Sequence, residues 1–471
     1  MTETGGKRPN FLVILTDDQG AWARGRTMPE LITPVLDELG ATGRELTRFF
    51  CASPVCSPAR ASLLTGRMPS AHGVHDWLRS ENSGVDNAGV HYLENFSTTP
   101  EVLAANGYNC GHSGKWHLGD ATEAAPGFGR WYSHRDGGGP YFGAPMIEDG
   151  VLVSEEGYLT HAISDGAQRI LAELAAEDEP FYLQVNYTAP HAPWSAANHP
   201  GEYRDLYADC TFDSVPILPT HDWFNTAPGG LITAMENRQE SLVGYCASLT
   251  AVDRGVQGLL DELERAGIRE DTYVIFTSDN GFSCGHHGIW GKGNGTLPLN
   301  LWDESILVPF LINRPGTIAP ALDESLTSAV SLHPTILELA GVEVPEDSLA
   351  AGTSVAGRLL GGPADPDAAI VVFDEYGGTR MIRTAAHKYV WRFGDGPTEL
   401  YDLVADPAES RSLHADPAHE GLRTELHGRL ESWFAQYADP AYDAVARPVT
   451  GLGQDSPLWS GQADSERYAS R

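Results

Sequence analysis

The chain predicts an α/β protein: a large, mostly parallel or mixed sheet flanked by helices, then a smaller antiparallel sheet with one helix. Three observations predict it. Through residues 1–360, short β-rich runs alternate with segments of helical period, the pattern of strands joined by covering helices. Phe11-Leu12-Val13-Ile14-Leu15 is apolar without alternation, as a strand buried on both faces must be. From Gly361 to Pro366 glycine and proline cluster, and the pattern changes to short strands in close succession.

The elements follow in order. Thr33-Pro34 reads as a helix start, a capping hydroxyl followed by proline at the first helical position. Phe181 to Tyr187 and Thr272 to Thr277 repeat the buried-strand pattern of Phe11 to Leu15. Between Ser241 and Ala266, Leu242, Cys246, Leu249, Val252, Val256, Leu259, Leu260 and Leu263 keep helical spacing, and Gly267 follows as a stop. Ala196 to Gly230, with its prolines, Trp223 and Phe224, has no period and reads as an insertion over the face that carries the site. Ile370 to Phe373, Met381 to Thr384, Lys388 to Phe393 and Thr398 to Leu403 read as strands, and Glu420 to Tyr437 as an amphipathic helix. Two units are expected, residues 1–360 and residues 361–471. Beyond Asp439 no period is visible, and the chain shows no internal repeat or low-complexity segment.

Composition narrows the function. The chain has 471 residues, 41% hydrophobic and 20% charged, an ordinary globular balance with room for a substantial core. A net charge of −33 repels nucleic acid and anionic lipid, so neither is an expected partner. An anion site in such a molecule must gather its own positive charge. Met1 to Asn10 is polar and the first apolar run has five residues, too short for a signal-peptide core or a membrane span, so a cytoplasmic location is expected. The six cysteines (51, 56, 110, 210, 246 and 284) show no metal spacing or dense framework, which predicts mostly buried thiols. Oligomeric state has no signature.

Several loops carry candidate chemistry. Asp17-Asp18 follows the first strand and Asp279-Asn280-Gly281 follows the strand ending at Thr277, the sheet edge where doubly wound folds bind ligands. Three carboxylates and one amide oxygen make a hard donor set suited to Ca²⁺ or Mg²⁺ and not to zinc. Either pair alone reads more simply as a turn or a helix cap. Lys115-Trp116-His117-Leu118-Gly119 sits just past another strand, flanked by glycines that let backbone approach a ligand, and reads as an anion clamp. In Pro190-His191-Ala192-Pro193 two prolines bracket an imidazole able to titrate near neutrality. Gly291-Lys292-Gly293-Asn294-Gly295 places a second lysine in a glycine-rich loop.

Cys56-Ser57-Pro58-Ala59-Arg60, continuing to Thr65-Gly66-Arg67, resembles the C-x-P-x-R signature of the type I, formylglycine-dependent sulfatases of the alkaline phosphatase superfamily. The loops above resemble the same family, in order: D-D-x-G at Asp17-Asp18, G-K-W-H-L-G at Lys115 and His117, P-H-x-P at His191, S-D-N-G at Asp279-Asn280. Val308-Pro309-Phe310, Pro334 to Gly341, and Glu399-Leu400-Tyr401-Asp402-Leu403 extend the likeness over nearly the whole chain. Ser331 stands where many members carry aspartate, a position read as structural.

The resemblance implies an alkaline-phosphatase-like fold and an arylsulfatase-type sulfuric ester hydrolase. Its substrate would be a carbohydrate sulfate or, behind that, an aryl or alkyl sulfate. It further implies that a separate formylglycine-generating enzyme oxidises Cys56 and that the hydrated aldehyde attacks sulfur. Asp17, Asp18, Asp279, Asn280 and the modified Cys56 would hold a divalent cation, Ca²⁺ in preference to Mg²⁺. Lys115 and Lys292 would bind sulfate oxygens, and His191, with Lys292, would protonate the leaving alcohol. Arg60 and His117 would hold the two oxygens of the hydrate.

Three other readings stand beside this one: a phosphodiesterase or phosphonate monoester hydrolase of the same superfamily; a non-catalytic relative; and a cysteine-nucleophile hydrolase, which leaves Pro58 and Arg60 unexplained. His72, His75, Asp76, Trp77, His134, Arg135, Tyr141, His286, His287 and Trp290 lie near the motifs and could line a pocket, though each reads more simply as a loop or core residue. His286-His287 lacks a third ligand at zinc spacing.

Overall fold

The computed structural model describes residues 7–85, 89–225, 231–374, 378–394, 396–445 and 453–460. The first six polar residues, residues 226–230 of the irregular segment and much of the unpatterned tail lie outside the described residues. Among the described residues, ten strands form one sheet. Their order is Ala321–Asp323, Arg44–Leu46, Phe310–Asn313, Thr272–Ser278, Asn10–Thr16, Phe181–Asn186, Asn109–Lys115, Arg130–His134, Ala144–Glu148 and Val151–Glu155. The five strands from Thr272–Ser278 to Arg130–His134 run parallel. Antiparallel neighbours join on both sides, making the sheet mixed.

The unbroken apolar run of the first strand has a direct cause. Leu12 and Ile14 enter the core on one face, beneath helices Leu159–Ala175 and Arg238–Arg265. Phe11, Val13 and Leu15 enter the core on the other, beneath helices Cys56–Thr65 and Leu332–Leu339. Neither face sees water, so both must be apolar. Each such side chain contributes about 1.5–3 kcal/mol of burial.

The long helix starts three residues earlier than its apolar spacing predicts and ends at Arg265, with Gly267 just beyond in the left-handed region at φ 70°. The irregular segment carries short helical turns at Gly201–Arg204 and Asp205–Tyr207, and Tyr203, Tyr207, Phe212 and Val215 bury against the core beneath that helix. It approaches the site at Asn225, which donates from its amide and side chain to Gly295 and Asn294. The insertion expected over the site face thus reaches the Lys292 loop, while its first half buries aromatic residues beneath the long helix.

The helix predicted at Thr33-Pro34 is Pro34–Thr42, but the Thr33 hydroxyl makes no capping bond and is buried without a partner. The cap comes from far along the chain. Asp253 accepts from the Val35 amide at 3.3 Å and the Leu36 amide at 2.8 Å. Burial raises the Asp253 carboxyl to about 6, against the two amides, which favour its ionised form. A folded pKa above the unfolded value means that native protein holds a proton the unfolded chain has lost between about pH 4 and 6. This group's contribution is therefore full below pH 4 and falls as pH rises to 6. Asp253→Asn keeps one acceptor and turns an NH2 on the other amide, so it should start below wild type at pH 4 and gain on it by about 2 kcal/mol by pH 7. Melting curves of the two proteins that run parallel across that range would refute the assignment.

The C-terminal strands Ile370–Asp374, Thr379–Arg383, His387–Arg392 and Glu399–Asp402 form an antiparallel meander. Helix Glu420–Tyr437 packs Leu426, Leu430 and Phe434 against Phe373, Ile382, Tyr389 and Leu400. Among the described residues, no helix is long and apolar enough to cross a membrane, and none of the six cysteines is in a disulfide.

Candidate active site

Strand register assembles the site. Thr16 pairs with Ser278, so Asp17-Asp18 and Asp279-Asn280 leave adjacent parallel strands at one level. Backbone bonds hold them there: the Asp17 amide donates to Ala189, in the His191 loop, and the Asp279 amide to Thr16. Asp18 and His117 both sit at positive φ, 65° and 56°, a conformation costly for residues with a Cβ and common at functional sites. Asp17, Asp279 and Asn280 are fully buried, and Asp18 is 2% exposed.

Cys56 opens the Cys56–Thr65 helix, all ten residues of which are buried. Arg60 follows one turn later on the same face, so both side chains point at the carboxylates. The Cys56 thiol donates to Asp17 Oδ1 at 3.4 Å. Arg60 Nε and Nη2 reach Asp279 Oδ2 at 2.9 and 2.8 Å, and Nη1 donates to the Lys115 carbonyl at 3.0 Å. Gly66 closes the helix at φ 71°, and Arg67 forks onto Asp347. The threonine-glycine-arginine tail of the motif thus anchors the helix rather than serving the pocket.

Lys115, wholly buried at its strand's end, pairs with Asp17 Oδ2, and Asn186 Nδ2 fixes its carbonyl. Lys292 Nζ lies 2.9 Å from Cys56 Sγ and 2.5 Å from Asp18 Oδ1. Asn300 holds the Lys292 loop, donating from Nδ2 to the carbonyls of Lys292 and Gly293. The C-terminal sheet in turn holds Asn300's neighbours: Lys388 donates to the Leu301 carbonyl and Arg392 to that of Leu299.

Two imidazoles complete the cluster, each anchored by one nitrogen. His117 donates from Nε2 to the Leu78 carbonyl at 2.9 Å, leaving Nδ1 buried and without a hydrogen-bond partner. Burial, then Lys115 and Arg60, hold His117 neutral. His191 donates from Nδ1 to the Ala192 carbonyl at 2.8 Å, and its Nε2 faces Asp18 Oδ2 at 3.8 Å. The Tyr141 hydroxyl fixes the His191 carbonyl at 2.8 Å.

Charge is concentrated here. Burial would raise Asp17, but Lys115, His191, Arg60 and Lys292 override it and hold the carboxyl well below its usual range. Burial and the charge of Asp17 push Asp279 up. Burial opposes the charge on Lys292, yet Asp18 and its neighbours keep the ammonium strongly favoured. Burial, reinforced by Asp17, pushes the Cys56 thiol up to about 12. A thiol held in its protonated form is a weak nucleophile, which argues against an unmodified cysteine nucleophile.

Cys56, His117, His191 and Lys292 open onto a cavity of about 310 Å³ whose wall includes Trp77, Leu78, Ser80, Asp136, Gly137, Gly138 and Asn294. The residues given chemical roles from the sequence, Asp17, Asp18, Cys56, Arg60, Lys115, His117, His191, Asp279, Asn280 and Lys292, are thus in one cluster. Of the wider set, Trp77 alone lines this cavity. His72 is buried on the Ser62 hydroxyl and His75 on the Pro69 carbonyl. Asp76, His134, Tyr141 and Trp290 are buried, Arg135 forks onto Asp136, and His286 packs on Trp22. His287 pairs with Glu304 and stacks on Trp302, beside a second cavity. Glu304 and Glu409 supply the further metal donors His287 lacked in sequence, but the Lys388 ammonium already sits on Glu409. That group reads as an ion-pair network. Asp136, Gly137, Gly138, Asn294 and Asn300 were missed. The first three follow a strand end, the signal that found the aspartates.

The donor set fits a hard divalent cation. Asp17, Asp18 and His191 form one group of ligand atoms within 4.8 Å of one another, and Asp17, Cys56 and Asp279 form another. Three buried carboxylates face three cationic side chains, so a divalent ion would leave net positive charge for an anion. Asn280 turns Nδ2 toward Asp18 at 2.7 Å, with Oδ1 3.5 Å from Lys292.

Comparison with known proteins agrees with this geometry. A family model described as sulfatase matches residues 9–342, and one described as N-sulphoglucosamine sulphohydrolase, C-terminal, matches residues 285–436. The chain is 31% identical to an ulvan-active sulfatase of Formosa agariphila, over 92% of this chain and 82% of that protein. It is 27% identical to an N-acetylglucosamine-6-O-sulfatase of Bacteroides thetaiotaomicron, over 92% and 87%. A solved structure of a protein in complex with its substrate D-glucosamine-2-N,6-O-disulfate shares the fold, with a TM-score of 0.75 at 23% identity, over 92% of this chain and 99% of that one.

Proposed function

The chain belongs to the sulfatase family and hydrolyses sulfate esters, and we propose that it acts on a carbohydrate sulfate through a formylglycine made from Cys56 beside a bound Ca²⁺. One observation carries the reading. Cys56 begins a buried helix at the floor of the cavity, 3.4 Å from Asp17 and 2.9 Å from Lys292, where a nucleophile must stand between cation donors and anion binders.

When present, the aldehyde hydrate supplies the nucleophile and the cation, held by Asp17, Asp18, Asp279 and Asn280, supplies Lewis acidity. The chain's own residues do the rest. Lys115 and Lys292 neutralise sulfate oxygens, the term that dominates for a stable anionic ester. In its doubly protonated form, with Nδ1–H on the Ala192 carbonyl, His191 presents Nε2–H to the leaving oxygen and donates that proton. His117, fixed as the Nε2–H tautomer, offers Nδ1 as an acceptor to the hydrate. Arg60, donating from Nε and Nη2 to Asp279 Oδ2, keeps that carboxyl aimed inward. Cys56 is only 4% exposed, so the generating enzyme must reach it before its helix docks.

The cavity wall favours a sugar. Partly buried Trp77 lines the cavity beside Ser80, Asp136 and Asn294, an aromatic and polar mixture suited to a polyhydroxylated ring. Relatives named for ulvan and N-acetylglucosamine-6-O-sulfate point the same way. The test has two readouts. Mass spectrometry of the peptide carrying Cys56 should show sulfur replaced by an aldehyde, and purified protein should release sulfate faster from sulfated saccharides than from aryl sulfates or phosphodiesters. A fully modified protein that prefers a phosphodiester would overturn the assignment.

A further inference from the structure

Gly137 and Gly138 sit in the cavity wall, and their backbone does not require glycine: neither adopts a positive φ, unlike Gly139 at 153°. What excludes a side chain is the ring each one touches. A Cβ on Gly137 would lie 2.2 Å from His117 Cε1 and 2.3 Å from Nε2, and one on Gly138 would lie 2.8 Å from His191 Cε1. Contacts below 3.0 Å force something to shift, and here the obstacle is a rigid ring. Both rings are already tethered at one edge, His117 to the Leu78 carbonyl and His191 to the Ala192 carbonyl. A tether alone leaves a ring free to swing about that bond. Backbone pressed against the ring removes the swing, so the untethered nitrogen keeps facing the reaction. The preceding residue is itself fixed, since the Asp136 carbonyl lies 2.8 Å from His134 Nδ1.

We propose that Gly137 and Gly138 are positioning residues, a backbone clamp that holds His117 Nδ1 toward the hydrate and His191 Nε2 toward the leaving oxygen. The inference rests on the roles just given to the two histidines. It predicts that Gly137→Ala and Gly138→Ala each lower kcat by about 10- to 100-fold, as sub-ångström to ångström misplacement of catalytic groups does. KM should change by less than about threefold, because neither histidine provides uniform ground-state binding.

The decisive experiment is a pair of double-mutant cycles. In a His117→Ala background the ring is gone, and Gly137→Ala should cost less than about twofold more. In a His191→Ala background it should keep its full cost. Gly138→Ala should show the reverse dependence. Melting temperature and aldehyde content are measured for each variant. A Gly137→Ala protein that fails to fold while Gly137→Ala/His117→Ala folds supports the contact, since removing the ring relieves the clash. Additive costs in the matched backgrounds, or failure of both proteins to fold, would overturn the clamp. Wild-type kcat in His117→Ala and His191→Ala would instead remove the histidine roles on which it stands.

Discussion

Cys56→Ala is expected to lose sulfate release by at least about 10⁵-fold, the scale seen when a nucleophile is deleted, with the fold intact. The side chain is small, and its two polar partners keep others. Asp17 retains Lys115 and Arg60, and Lys292 retains Asp18. The stability cost should therefore stay near 1 kcal/mol, an ordinary figure for a single substitution. Wild-type protein made without the modifying enzyme should be equally inactive, because the buried thiol at about 12 is no substitute for the hydrate. Turnover assays on a sulfated saccharide, paired with thermal melts, check both halves. Activity above about 1% of wild type in Cys56→Ala would remove the nucleophile from the mechanism.

The site's legibility in sequence follows from locality. Asp17 and Asp279 directly follow a strand, Lys115 ends one and His191 lies in the loop after one, and parallel strands deliver their carboxyl ends to one edge, so pattern and topology together place them. Cys56 and Arg60 lie one turn apart on a helix that is not legible in the sequence, since a proline two residues after the cysteine suits a turn equally well. Asn300, Gly137 and Gly138 were not legible because their meaning is a contact with another loop, and no local pattern distinguishes a glycine facing an imidazole from a glycine in a turn. The same holds for the Pro34–Thr42 helix. Its start was readable from Thr33-Pro34, but its cap is Asp253, more than two hundred residues away, because the long helix lies against it. The C-terminal strands were readable by rhythm. That Lys388 and Arg392 brace Leu301 and Leu299, on either side of Asn300, was not, since buried lysine and arginine carry the same letters as solvated ones.

Asp279→Asn should abolish turnover, by at least about 10³-fold, through loss of the cation rather than loss of the fold. Asp279 Oδ1 accepts the amides of Asp18 and Asn280, a role an asparagine oxygen can keep. Oδ2 takes Arg60, a role an amide nitrogen cannot. Breaking a buried pair by removing one partner costs about 3–5 kcal/mol, but Arg60 retains the Lys115 carbonyl and lies 3.6 Å from Asp17, so the loss should fall below that range. Without an ion, burial and the charge of Asp17 already push Asp279 toward its neutral form, which the amide resembles. The two proteins should therefore differ little in melting temperature when stripped with chelator. Adding Ca²⁺ separates them. A ligand at a hundred times its Kd stabilises the state that binds it by about 2.7 kcal/mol, so wild type should melt higher and Asp279→Asn should not move. Equal Ca²⁺-induced shifts in both proteins would show that the ion sits elsewhere and that Asp279 serves Arg60 alone.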